Sequence, residues 1–175
     1  MSSRIAPQAA EDIAALRARF IEAMGAHAAS VNVVTTDGHS GKMGLTASAF
    51  SSVSADPPTL LVCINQRSPI CNTIQHNGRF AVNVLNESQP DISNRFAGRP
   101  DDGEPYDFNA CAHQAGTFGQ PLIQGAAASF ECEVREVVLV GSHAIIIGAV
   151  HEATAGSAGP LVYARRHYGK FAPHF

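Results

Sequence analysis

Gly44-Leu45-Thr46-Ala47-Ser48-Ala49-Phe50-Ser51-Ser52-Val53-Ser54-Ala55-Asp56-Pro57-Pro58 sets small residues and hydroxyls into a segment that otherwise reads as a strand. Five of these residues are Ser or Thr, all close to Gly44. Short hydroxyl side chains and free backbone N–H groups suit a flat, hydrogen-bonding ligand that carries phosphate oxygens. The bland alternative for Thr46, Ser48, Ser51 and Ser52 is an edge strand with solvated hydroxyls. Pro57-Pro58 is expected to stop the ladder, because proline donates no backbone hydrogen bond. A second small-polar cluster follows, Arg67-Ser68-Pro69-Ile70-Cys71-Asn72-Thr73, with one cation and several donors in the manner of a phosphate grip. Arg67 by itself reads better as a surface cation.

On either side of this stretch the chain reads as short strands with few helices. Ile13, Leu16, Phe20 and Met24 recur at three- and four-residue steps, which predicts a helix over 11–26. Strands are expected at 30–36, 45–53, 59–64 and 79–85, with a short helix at 72–76 and another at 91–96. The stretch 98–120 reads as loop. Phe130, Cys132 and Val134 alternate with Glu131, Glu133 and Arg135, the pattern of a half-buried antiparallel strand. Strands then recur at 143–150 and 161–164, before a basic tail. The absence of a regular βαβ rhythm points to a mainly β antiparallel barrel rather than a doubly wound sheet. We read residues 1–175 as a single domain.

The 175 residues suffice for a core, with 45% hydrophobic and 15% charged residues, the composition of a globular domain. Twelve basic against fifteen acidic residues give a net charge of −3, which argues against a nucleic-acid footprint. No run approaches the roughly 18 apolar residues of a membrane span. Met1 to Pro7 has no apolar h-region, so secretion is not expected. Cys63, Cys71, Cys111 and Cys132 follow no framework spacing and read as reduced thiols of a cytoplasmic protein.

No G-x-G-x-x-G, P-loop or nucleophile elbow is present, and no paired catalytic carboxylates stand out. Cys111 and His113 lack the further ligands a zinc site needs, so no metal is expected. Any chemistry would therefore be carried by a cofactor. His143 is the histidine to single out, because it follows Gly141-Ser142 and opens an apolar strand. Spacing alone favours a turn histidine bonded to backbone. Asn83 is polar within an apolar strand, where it either meets a ligand or faces solvent. Tyr163, Arg165, Arg166 and Tyr168 form either an anion clamp or an ordinary surface.

The order of these pieces resembles the short-chain flavin reductases, the reductase components of two-component flavin-dependent monooxygenases such as the 4-hydroxyphenylacetate and phenol hydroxylase systems. The pieces are Gly44-x-Thr46-Ala47-Ser48-Ala49-Phe50-x-Ser52-Val53-Ser54 with Pro57-Pro58, then Ser68 to Thr73, then Gly78-x-Phe80-Ala81-Val82-Asn83-Val84-Leu85 with Gln89, then Arg95-Phe96-Ala97-Gly98. Gly119-x-Pro121-Leu122-Ile123-x-Gly125-Ala126, Phe130-Glu131-Cys132, Gly141-Ser142-His143 and Pro160-Leu161-x-Tyr163-x-Arg165 complete the set. Each is weak alone, and together, in order, they are specific from about Phe20 to Phe171.

The resemblance implies an FMN-binding split barrel of antiparallel Greek-key type, assembled as a homodimer. It implies that Thr46, Ala47, Ser48, Ala49, Phe50, Ser52 and Val53 line the flavin ring and ribityl chain. Arg67, Ser68, Pro69, Ile70, Cys71, Asn72 and Thr73 would hold its phosphate, and Phe96, Ala97 and Gly98 would approach the rest of FMN or FAD. His143 would be the catalytic-site residue beside the nicotinamide of NADH or NADPH, with Tyr163, Ala164, Arg165, Arg166 and Tyr168 holding that substrate. The implied activity is hydride transfer to flavin that then diffuses to a separate monooxygenase. Two other readings stand beside it: a flavoprotein with tightly bound FMN reducing another acceptor, and a flavin-binding module without enzymatic activity. One departure is Ser142, where the family commonly has aspartate.

Overall fold

The structure, a computed structural model, describes residues 7–173. The chain opens with helix α1 (Pro7–Gly25) and continues through strands β1 (Ala29–Ser30), β2 (Asn32–Thr36), β3 (Met43–Ala47), β4 (Phe50–Ala55) and β5 (Pro58–Asn65). Helix α2 (Pro69–Asn77) and strand β6 (Arg79–Val84) lead to helix α3 (Pro90–Phe96). Strands β7 (His113–Ala115) and β8 (Pro121–Ile123) precede the long hairpin of β9 (Ala128–Val140) and β10 (His143–Ala155). Strands β11 (Leu161–Ala164) and β12 (His167–Lys170) follow.

Seven strands form one antiparallel sheet in the order β3-β2-β6-β9-β10-β5-β4. Its two edge strands, β3 and β4, are separated in sequence only by Ser48 and Ala49. A link that short forces the opposite edges of a seven-stranded sheet to meet, so the sheet rolls up. The link is fixed by the Phe50 N–H donating to Ser48 O at 3.0 Å and the Cys63 N–H donating to Ala49 O at 2.9 Å. The edges meet there without forming a ladder, which leaves a seam: this is the split barrel. A second sheet, β1-β11-β12, flanks it.

Two apolar clusters fill the fold, on opposite faces of β2 and β6. Val34, Val62, Ile64, Phe80, Val82 and Ile146 pack with α2 inside the barrel. Val31, Val33, Leu85, Phe96 and Leu161 pack on the outer side beneath α3. With both faces covered, every residue of β2 is buried.

The structure departs from the sequence reading at several points. The strand expected over 45–53 is two strands, broken at the seam. Pro57-Pro58 does not stop the ladder: Ala55 pairs with Pro58 across the two-residue turn Asp56-Pro57, and β5 starts at Pro58. Proline fits the first residue of a strand, where its missing N–H costs little. The stretch read as loop contains β7, paired to β8. The basic tail forms β12. Asn83 meets neither ligand nor solvent. It is fully buried, donates to Val33 O, Thr35 Oγ1 and Pro121 O, and accepts from Ile123 N–H and Ser129 Oγ at 3.0 Å each. This amide fastens β8 onto the sheet, as a buried amide with every group paired does. The apolar stripe of α1 is exposed in the single chain, with Phe20 61% and Leu16 59% accessible. No helix among the described residues is long and apolar enough to cross a membrane.

Candidate functional site

The seam gathers three of the segments singled out in the sequence. On one side β3 runs beneath α3, so closely that a Cβ on Gly44 would stand 2.6 Å from the Phe96 ring and 3.0 Å from that of Phe108. Only glycine admits those rings there. Two residues on, the Thr46 hydroxyl donates to Ser93 O at 2.7 Å. On the other wall, the Tyr168 hydroxyl of β12 reaches the same helix, 2.9 Å from Ser93 Oγ and 2.8 Å from Asn94 Oδ1. The hairpin β11–β12 is thereby latched to α3, and the ring of Tyr163 meets that of Tyr168 edge-on at 5.3 Å.

Two cavities open between these walls. One, of about 330 Å³, is lined by Thr46, Ser48, Ala97, Arg99, Arg166 and Tyr168, among others. The other, of about 500 Å³, runs from Ser48, Ala49 and Phe50 over Leu61 and Cys63 towards Arg165 and the end of α1. Ser48, Tyr163 and Arg166 line both, so the two are lobes of one groove. Among the described residues no acidic side chain lines either lobe, whereas Arg99, Arg165 and Arg166 do. The half-buried apolar floor, the hydroxyl rim and the uncompensated guanidinium charge fit a flat aromatic ligand with phosphates.

His143 opens β10 directly opposite Asn65 of β5. Opposed residues of an antiparallel pair point to the same face, and alternation puts Cys63 and Leu61 on that face too. His143 therefore shares the outer sheet surface that floors the larger lobe, two residues or about 7 Å along the strand from Cys63. Its ring is exposed, and Nδ1 is hydrogen-bonded to the Ser142 hydroxyl at 2.9 Å. Gln66 Nε2 donates to the oxygens of Gly141 and His143, tying this turn to the segment that starts at Arg67.

The second cluster divides by side chain. Ser68 caps α2 and Pro69 is its first residue, with no side-chain hydrogen bond from the cap. Ser68 and Pro69 line a third cavity of about 310 Å³ with Gly44, Lys42 and Tyr106. Arg67 and Asn72 are exposed. Ile70 and Cys71 are buried in the barrel core. Thr73 turns its hydroxyl to Pro69 O and Met43 Sδ. Cys71 and Thr73 line none of these cavities, and Ile70 reaches only the third. Phe96 is likewise fully buried, while Ala97 lines the smaller lobe. A Cβ on Gly98, at φ 76°, would run into the Tyr106 hydroxyl. Ser52 and Val53 are exposed on β4, outside the residues lining the two lobes.

Arg99, Ser93 and Asn94 belong to the groove and were not singled out in the sequence. The signal that could have found them is the α3 register that carries Phe96 and Ala97. Burial raises the thiols of Cys71 and Cys111, and pushes that of Cys132 up to about 12 with help from the Glu131 charge. All four cysteines are unpaired. His113 Nδ1 is used by Cys111 O at 2.8 Å.

The family model of the flavin reductase like domain matches residues 24–172. The 4-hydroxyphenylacetate 3-monooxygenase reductase component of Salmonella typhi is 39% identical over 153 residues, 87% of this chain and 90% of that protein. The FMN reductase (NADH) RutF of Stutzerimonas stutzeri is 40% identical over 156 residues, 87% of each. The solved NADH:FAD oxidoreductase SgcE6 of Streptomyces globisporus, in complex with NAD and FAD fragments, superimposes with a TM-score of 0.81 at 28% identity, covering 98% of both chains. With its seam, its latched hairpin and this match over most of its length, the chain belongs to the flavin reductase family.

Proposed function

We propose that this protein is an NAD(P)H-dependent flavin reductase that supplies reduced flavin to a separate flavin-dependent monooxygenase. The observation that carries the reading is the groove at the barrel seam, apolar in its floor, rimmed by hydroxyls and lined by arginines with no acidic side chain among the described residues. Bound flavin supplies the chemistry, accepting a hydride from the nicotinamide. The residues of this chain bind, orient and exclude water. Thr46 to Phe50 flank the ring, with Ser52 and Val53 beyond them. Arg67, Ser68 and Asn72, with the backbone of Pro69 to Thr73, hold the flavin phosphate. Ala97 and Gly98 close the far side. His143, Tyr163, Ala164 and Arg165, on the side of the larger lobe, would hold the nicotinamide end of the dinucleotide, and Arg166 and Tyr168 its remaining part. Rate enhancement of this kind is proximity and orientation, and no side chain exchanges a proton in the hydride step.

The protein acts as a homodimer on this reading. Support comes from the exposed apolar face of α1 and the tip of the β9–β10 hairpin, where Leu139 is 65% accessible. Clustered exposed apolar side chains of this kind mark an interaction surface. The four unpaired cysteines fit a reducing, cytoplasmic setting. An open groove suits flavin that comes and goes. Desalting after saturation with FMN or FAD tests that point. Loss of the flavin supports diffusible exchange, and retention in stoichiometric amount favours a flavoprotein that reduces another acceptor.

A further inference from the structure

Arg165-Arg166 reads in the sequence as one cationic pair, but the fold separates it. Both residues occupy the left-handed region, at φ 49° and 64°, as the two central positions of the β11–β12 turn between Ala164 and His167. Glycine or asparagine normally fills such a turn, and each L-residue there costs about 1 kcal/mol. The turn sends the two guanidinium-bearing residues to different places. Arg165 lines only the larger lobe, and its N–H donates to Gly25 O at 2.6 Å. Arg166 also lines the smaller lobe, together with Arg99.

Arg99 leaves the end of α3 with its N–H fixed on Asn94 O at 2.9 Å. Asn94 is also a partner of the Tyr168 hydroxyl, two residues from Arg166. The latch through Tyr168 thus ties the hairpin that carries Arg166 to Asn94, the residue on which the Arg99 N–H is fixed. Neither guanidinium forms an ion pair among the described residues. Among the described residues no carboxylate lines this lobe, and Tyr163 and Tyr168 do.

We propose that Arg99 and Arg166 are a two-sided clamp for the diphosphate of an adenosine-diphosphate moiety, with Arg165 outside it. Two planar guanidiniums facing one cavity match the bidentate geometry of phosphate oxygens, and the tyrosines offer the base an aromatic face. This moiety is common to NADH and FAD and absent from FMN. The proposal rests on the flavin reductase reading for its substrates but not for its test.

The test is calorimetric titration of the purified protein with ADP, adenosine and FMN, for the wild type and for Arg99→Gln, Arg166→Gln and Arg165→Gln. The expected result is that ADP binds and adenosine binds at least tenfold more weakly. Arg99→Gln and Arg166→Gln each weaken ADP at least tenfold, while Arg165→Gln leaves ADP affinity within twofold. Arg99→Gln leaves FMN affinity unchanged. Unaltered ADP binding in Arg99→Gln overturns the clamp, as does an Arg165→Gln loss equal to that of Arg166→Gln. ADP as an inhibitor of flavin-dependent NADH oxidation separates the sources. Competition with NADH assigns the clamp to the nicotinamide dinucleotide, and competition with FAD to the flavin dinucleotide. Competition with neither, or with FMN, overturns it. ADP titration reads the clamp even in a protein that oxidises no NADH, so failure of the reductase reading is distinguishable.

Discussion

Thr46 donates its hydroxyl to the main-chain oxygen of Ser93 at 2.7 Å, and that oxygen also accepts the Ala97 N–H at 2.9 Å. A hydroxyl that the sequence offered to a ligand is thus committed as a donor to the wall of the groove. Thr46→Val keeps the shape and removes the bond. We expect a loss of about 1 kcal/mol in stability, since a neutral hydrogen bond contributes about that much. The Michaelis constant for flavin should rise severalfold as β3 slackens against α3. Denaturant unfolding and steady-state kinetics on one preparation check both, and an unchanged unfolding midpoint contradicts the role of the bond.

Asn83 gives a contrasting case, structural with no part in the site. Asn83→Leu leaves the Ile123 N–H and the Ser129 hydroxyl without their shared acceptor inside the protein. An orphaned buried donor costs roughly 1–3 kcal/mol, so we expect a total loss near the upper end of that range. The apparent Michaelis constants should stay within about twofold of the wild type once the protein is folded, because a well-separated core site couples weakly to the groove. A large kinetic effect without loss of stability would return Asn83 to the ligand.

His143 stands on the exposed turn of the β9–β10 hairpin, on the face that floors the larger lobe. His143→Ala should raise the Michaelis constant for NADH by about tenfold or more and that for flavin by much less, as loss of one substrate's binding contact does. Its exposure predicts little change in melting temperature. Equal effects on both substrates, or none, remove the assigned role.

Cys132 links pH to stability. Its thiol is 3% exposed, and burial pushes it from the usual 9.0 to about 12. The thiol is neutral in both folded and unfolded chains at neutral pH, so it makes no difference there. The unfolded chain releases the proton above pH 9 and the folded chain only near pH 12, so stability falls as pH rises through that window. The slope from this one group is about 1.4 kcal/mol per pH unit. Urea midpoints of the wild type and Cys132→Ala, measured at pH about 8 and about 10.5, should converge as pH rises. Parallel lines would show that the buried thiol does not control this loss.

Helix α3 and strand β6 were legible because local periodicity and turn residues specify them, whereas α2 and β10 were read short, at 72–76 and 143–150 against Pro69–Asn77 and His143–Ala155. The break at Ser48-Ala49 was not legible. It is imposed by closure of the sheet, through Cys63 N–H on Ala49 O and the rings of Phe96 and Phe108 over Gly44, contacts made by distant residues. The partners of Asn83 come from strands 38 to 50 residues away, which no window of sequence contains. The groove residues Thr46 and Ser48 were nameable from their hydroxyls and Tyr163 and Arg166 as one side of an open choice between clamp and surface, whereas Ala97 came only with the motifs in order. Arg99 was missed because what brings its segment and that of Arg166 to one cavity is the Tyr168 latch, a tertiary contact. The exposed stripe of α1 shows the limit of periodicity, which identifies an apolar face but not the surface that covers it.

The central claim is most directly tested by mixing the purified protein with NADH and following loss of the reduced nicotinamide absorbance, with and without added FMN or FAD. The account predicts rapid oxidation that depends on the added flavin and continues over many turnovers. Flavin binding with no oxidation of either NADH or NADPH would contradict it and leave a flavin-binding module.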